Sequence, residues 1–140
     1  MIYSVRFTCV LDTNVIYPLW TRDLLLWFAH YDLYTPKWSR NICSEWIDVM
    51  QRKGIGEEEA NKRANNMNKA FPDALVENYE PTIKILELPD MDDRHVLAAA
   101  IKINADLIIT NNIKDFPQEY LARFNLKAKV PDDFFTDIID

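Results

Sequence analysis

The chain has 140 residues, 49% of them hydrophobic and 12% aromatic, which is enough for one domain with a packed core. No apolar run reaches the ~18 residues of a membrane-spanning helix, and MIYSVRF at the start lacks the pattern of a secretory signal. A net charge of −6 excludes a simple electrostatic nucleic-acid binder, but not an enzyme acting on nucleic acid, because clustered acids that hold a divalent cation are themselves counted as negative charge. With Gly54 and Gly56 as the only glycines, a phosphate-cradling loop and a dinucleotide fingerprint are both excluded. Cys9 and Cys43 stand alone and read as buried thiols of a reducing cytoplasm, not as a disulfide framework or a zinc site.

In chain order, Val5–Asn14 (VRFTCVLDTN) predicts a buried strand that stops abruptly at a carboxylate, a hydroxyl and an amide. In open α/β sheets such strand ends are where ligands gather. Asp-Thr-Asn also suits a plain turn and helix cap, and both readings stand on these residues alone. Leu24, Leu25, Trp27, Phe28 and Tyr31 give Trp20–Tyr31 a helical spacing, with Thr21 placed to cap it. Leu33–Thr35 predicts a second strand ended by Pro36. A helix follows from about Lys37 to Lys53, with Trp38, Ile42, Trp46, Val49 and Met50 on its apolar stripe and Gly54 as its stop. Glu45 falls on the buried side of that stripe, three residues after Ile42 and four before Val49. A carboxylate there needs a basic partner, a metal or a position at a cleft, unless it sits on the solvent rim of a wide stripe.

Glu57–Phe71 predicts a solvated amphipathic helix closed by Pro72. Residues 37–71 thus form a helical arm carrying seven basic residues, for which a solvated face and a polyanion contact are the two readings. Ile83–Leu88 is the third strand candidate. The helix that follows opens on Asp90, Asp92 and Asp93, of which Asp90 or Asp92 suits the cap. Asp93 lies three, four, seven and eight residues before Val96, Leu97, Ala100 and Ile101, so it opens the apolar stripe and faces inward. Leu107–Thr110 is a wholly apolar fourth strand, as expected of a parallel strand covered on both faces, and it ends in Asn111, Asn112 and Asp115. Pro117–Phe124 predicts a short helix, Lys127–Val130 an edge strand and Pro131–Ile139 a terminal helix.

Two strand ends and two inward helix faces thereby bring Asp12, Glu45, Asp93 and Asp115 towards one edge of a parallel sheet. Such a cluster has to bind protons or a cation. Oxygen ligands without His or Cys favour Mg²⁺ or Mn²⁺ over zinc. His95 reads as a structural or supporting residue rather than a ligand.

LDTNV, a Glu in the second helix, DDRHVLAAAI…ADLIITNNIKDF and VPDDFF together resemble the PIN-domain family, most closely its VapC-like branch of ribonuclease toxins. The resemblance implies a Rossmann-like three-layer α/β/α sandwich with a central parallel sheet, a single PIN-like domain over 1–140, and metal-dependent cleavage of RNA. It implies Asp12, Glu45, Asp93 and Asp115 as the catalytic and metal-binding acids, with Thr13 and Asn112 beside the cofactor. Asp48 competes with Glu45 and Asp92 with Asp93, although only Asp93 has the right phase to the alanine run. Arg94 and Lys114 read as surface charges or as substrate contacts. An antitoxin protein and a homodimer are the partners it implies, and the aromatics Trp20, Trp27 and Trp38 read as core residues or, if exposed, as candidates for the homodimer interface. Two other readings are a PIN-like binding or scaffold module and a haloacid-dehalogenase-like phosphatase. The second needs an Asp at position 14, where this chain has Asn14.

Overall fold

The computed structural model describes residues 6–139, so Val5 of the first predicted strand lies outside them. The elements are β1 (Thr8–Leu11), α1 (Thr13–Ile16), α2 (Leu19–His30), β2 (Thr35–Ser39), α3 (Arg40–Arg52), α4 (Glu57–Ala70), β3 (Leu75–Val76), α5 (Glu80–Ile83), α6 (Arg94–Lys102), β4 (Leu107–Ile109), α7 (Gln118–Leu121), β5 (Lys127–Lys129) and α8 (Pro131–Ile139). Among the described residues five strands form one sheet in the order β3-β2-β1-β4-β5, and every pairing is parallel. This is the α/β architecture expected from the sequence.

The sheet explains the apolar runs. Cys9, Val10, Leu11, Ile108 and Ile109 are all buried, because right-handed crossovers, the rule for parallel units, put helices on both faces. Burial also pushes the thiols of Cys9 and Cys43 well up, so both are inert packing groups. Three consecutive alanines, Ala98–Ala100, let α6 pack closely on the sheet, and all three are fully buried. The terminal helix α8 closes onto α2: Phe135 lies edge-on to Phe28 at 4.9 Å and Phe134 to Tyr34 at 5.0 Å. The buried Tyr34 hydroxyl donates to the Leu25 carbonyl at 2.7 Å, so the aromatic is buried without an orphaned polar atom. Among the described residues no helix is long and apolar enough to cross a membrane.

From β1 the chain turns to β2 and β3 on one side, and from β4 to β5 on the other. The carboxyl ends of β1 and β4 are therefore neighbours at the point where the strand order reverses, the place where open α/β sheets bind ligands. The last bond across them runs from the Asp12 N–H to the Ile109 carbonyl at 3.0 Å.

Several local expectations need correction. Thr21 does not cap α2, which starts two residues earlier, after Pro18, with no side-chain cap. Leu24, Trp27 and Tyr31 do not pack on the sheet; they are exposed, and Leu25 and Ala29 are the buried residues of α2. Pro36 does not end the second strand but lies inside β2. The N–H of Thr35 bonds towards β1 at Phe7 and that of Trp38 bonds away from it, to Ala74 beside β3. Pro36 alternates with Thr35, so its missing donor faces the side where β3 has not yet begun. Lys37 and Trp38 belong to β2 rather than to the next helix, and the arm begins at Arg40, behind the Ser39 cap. Trp38 is consequently core and offers no interface. The third strand is Leu75–Val76, paired with Trp38 and Ser39, and not Ile83–Leu88, whose backbone is taken up in local turns.

Candidate active site

Asp12 is delivered by the end of β1 and serves as the N-cap of α1. It is only 5% exposed, yet three donors meet it: the Thr13 N–H at 2.7 Å on one oxygen, the Thr110 hydroxyl at 2.9 Å and the Asn14 amide at 3.1 Å on the other. Thr110 follows β4 directly, so this set staples the two strand ends together. Its hydroxyl gives its hydrogen to Asp12 and accepts from the Asn14 amide and the Asn112 N–H, both at 3.1 Å, which fills all three of its bonding positions. Burial raises the Asp12 carboxyl above its ordinary range, opposed by the Thr110 and Thr13 bonds.

Glu45 projects from the second turn of α3. The Thr13 hydroxyl donates to one of its oxygens at 2.6 Å, and His95 Nε2 lies 2.9 Å from the other. Burial alone would raise this carboxyl, but the His95 and Thr13 bonds outweigh it and hold Glu45 below the ordinary range. Asp48, its competitor in the sequence, is exposed.

Asp93 stands half-buried at the start of α6, after a short 3₁₀ turn over Met91–Asp93 that Asp90 caps at 2.9 Å. Its carboxyl is pushed up to about 7, first by burial and then by Asp12, Asp90, Asp115 and Glu45. Asp12, Glu45 and Asp115 thus all act on the Asp93 carboxyl, while Asp92 is exposed. Asp115 is half-buried at the end of a 3₁₀ turn after β4, and Asn112 is exposed just before it. Arg94 is turned back onto the Met91 carbonyl at 3.0 Å, and Lys114 is exposed.

Carboxylate oxygens alone suit a hard divalent cation. Among the described residues no three acidic, imidazole or thiol side chains are yet drawn in around one point. Mg²⁺ tolerates such an open arrangement, because it takes one or two carboxylates and keeps several waters. Burial first, and then the neighbouring acids, disfavour an ionised Asp93, and a cation bound at this spot would favour it.

Three supporting residues complete the arrangement: His95, read from the sequence as supporting rather than ligating, holds Glu45, while Asn14 and Thr110 bond each other across 96 positions, a pairing that no local spacing reveals.

A five-stranded parallel sheet covered by helices, with Asp12 closing β1 and Asp115 in the turn after β4, sets the class of molecule. The PIN domain family model matches residues 8–114, and the chain belongs to that family. A 48-residue stretch is 50% identical to VapC50 of Mycobacterium tuberculosis, whose name gives it a provisional assignment as a ribonuclease; the stretch is 34% of this chain and spans about 28% of the length of that curated relative. Two solved structures share the fold. One is VapBC-1 from nontypeable Haemophilus influenzae, with TM-score 0.62 and 17% identity over 89% of this chain and 98% of that one. The other is VapBC2 from Rickettsia felis bound to a promoter DNA fragment, with TM-score 0.58 and 19% identity over 88% and 98%.

Proposed function

We propose that this chain is a metal-dependent endoribonuclease, the toxin of a toxin–antitoxin pair, with Asp12, Glu45, Asp93 and Asp115 as its acidic site. The observation that supports the reading is the Thr13 link between Asp12 and Glu45, beside an Asp93 carboxyl that Asp12, Asp115 and Glu45 all act on. Membership of the PIN family and the stretch shared with a VapC protein support nuclease chemistry.

In this reading Asp12, Glu45, Asp93 and Asp115 hold Mg²⁺ or Mn²⁺, with Thr13 and Asn112 at the edge of the site. The cation, when bound, supplies charge neutralisation at the scissile phosphate and a water acidic enough to attack at neutral pH. Asp12 offers a pre-positioned carboxylate whose rotation is stopped by three donors. Glu45, held ionised, brings fixed negative charge, and Asp93 releases its proton when a cation takes the proton's place. Exposed Lys114 is a candidate to meet the RNA backbone, as are the arm cations Arg52, now on the Asp48 carbonyl, and Lys53, now over the Tyr17 ring. Arg52 and Lys53 line an open cavity of about 310 Å³ with Tyr17 and Val49, on the same two helices that follow Asp12 and carry Glu45.

The partner reading is supported by α2 and by the structural relatives, both of them solved as VapBC. Buried free thiols agree with a reducing cytoplasm.

The test is RNA cleavage in Mn²⁺ by Asp12→Asn. The expected result is loss of cleavage with an unchanged circular dichroism spectrum. The amide keeps one acceptor for the three donors, so stability falls by only about 1 kcal/mol. Cleavage at the wild-type rate by the folded variant would overturn the assignment.

A further inference from the structure

We propose that His95 is a positioning residue that, with the Thr13 hydroxyl, clamps Glu45 and sets the cation affinity of the acidic site. This role rests on the metal-dependent reading given above.

The two Glu45 oxygens are engaged separately. Thr13 Oγ1 donates to one at 2.6 Å, and His95 Nε2 lies 2.9 Å from the other. A carboxylate offers only acceptors, so the shared hydrogen is assigned to Nε2. The opposite ring nitrogen, Nδ1, is buried and has no partner among the described residues. A bare lone pair is tolerated there far better than an orphaned N–H, and this selects the Nε2–H tautomer. The ring is 9% exposed, with one nitrogen spent on Glu45 and the other sealed in the core. It can neither ligate a cation nor pass a proton to substrate, and what remains is orientation.

The clamp explains how a glutamate, with three rotatable bonds, serves a site otherwise made of aspartates. Thr13 follows Asp12, and His95 lies two residues after Asp93, so each donor that fixes Glu45 is carried by an element that also delivers an acid. The rotamer freedom that Glu45 would lose on cation binding is given up on folding instead. Each oxygen retains a lone pair for a cation or for one of its waters. Histidine and carboxylate partners around metal ligands typically change affinity about 10- to 100-fold when removed.

The experiment is Mn²⁺ binding to the metal-free protein, followed by electron paramagnetic resonance without RNA. His95→Leu should weaken binding about 10- to 100-fold. His95→Gln, which returns an N–H donor, should recover most of it. Thr13→Val should weaken binding as well, and Thr13→Ser should not. In cleavage assays, His95→Leu should lower kcat at limiting Mn²⁺ with KM for RNA unchanged, and excess Mn²⁺ should restore it. Nitrogen NMR of the wild-type ring should show hydrogen on Nε2, a readout that needs no variant, and hydrogen on Nδ1 would overturn the clamp. Equal Mn²⁺ affinity in wild type and a folded His95→Leu would overturn it too, and would leave the metal reading intact. No Mn²⁺ binding by the wild type would remove the metal reading and this role together.

Discussion

Two carboxylates of the acidic cluster are driven in opposite directions by their surroundings. Glu45 is held ionised by its two donors, whereas Asp93 is raised from 3.8 to about 7 by burial and by the acids around it. Between roughly pH 4 and pH 7 the folded chain keeps an Asp93 proton that the unfolded chain has released. Stability of the metal-free protein from this group is therefore greatest at the acid end, falls as pH rises through that window, and levels off above about 7. A cation competes with the same proton. The rise in melting temperature on adding Mn²⁺ should thus be larger at pH 8 than at pH 5, and Asp93→Asn should flatten that difference. An equal rise at both pH values would show that the cation binds away from Asp93. Asp12, Glu45 and Asp93 stand out in the sequence because a charge in phase with an apolar stripe, or closing an apolar strand, is anomalous by local pattern alone, whereas Asp115 lies in a turn past the end of β4. His95 was legible as a supporting residue, though not its pairing with Glu45, and Thr110 was not visible as a helper, since a hydroxyl at a strand end is ordinary and its partners Asp12 and Asn14 lie far along the chain.

Elements whose signal is local were legible: α3, α4, α6, β4, β5 and α8 follow stripes, apolar runs or end signals in their own residues. The misplaced ones depended on neighbours. β3 is two residues long, too short to show alternation, and exists because Trp38 and Ser39 offer it an edge. β2 accepts Pro36 only because β3 starts late. At the ends of α3 the local signals are physical and testable. The Ser39 hydroxyl accepts the Ile42 N–H at 3.2 Å, and both residues are fully buried. Ser39→Ala should cost about 1–2 kcal/mol in chemical denaturation, because the amide it leaves has no water to turn to. Gly54, just past the other end, has φ +95, and a Cβ there would meet nothing within 4 Å. Gly54→Ala should therefore lose about 1 kcal/mol through backbone conformation alone, and a neutral result would mean that the turn relaxes at no cost.

At the scale of the whole molecule, the acidic site and an apolar surface are separate features. Trp20, Leu24, Trp27 and Tyr31 recur at spacings of four, three and four, so they share one face of α2 over about 16 Å. The aromatics are 80%, 56% and 67% exposed, and the Trp27 and Tyr31 rings stack at 5.8 Å. Those three side chains alone present about 300–500 Å². With Leu24 added, the patch reaches the upper range found on proteins that stay monomeric. Among the described residues the packing of α2 on the core is made by Leu25 and Ala29 on the other side. If an antitoxin covers it, the two tryptophans are its natural anchors, because truncating such residues at an interface costs about 2 kcal/mol or more. Changing Trp20 and Trp27 together to Ser should then weaken retention of a co-expressed antitoxin at least about 30-fold, while RNA cleavage by the isolated chain is unchanged. The wild type should also lose the iodide-quenchable part of its tryptophan emission on complex formation, since Trp38 and Trp46 are buried already. Full retention by the double variant would place the antitoxin on another face and leave the α2 stripe without a part in the pair.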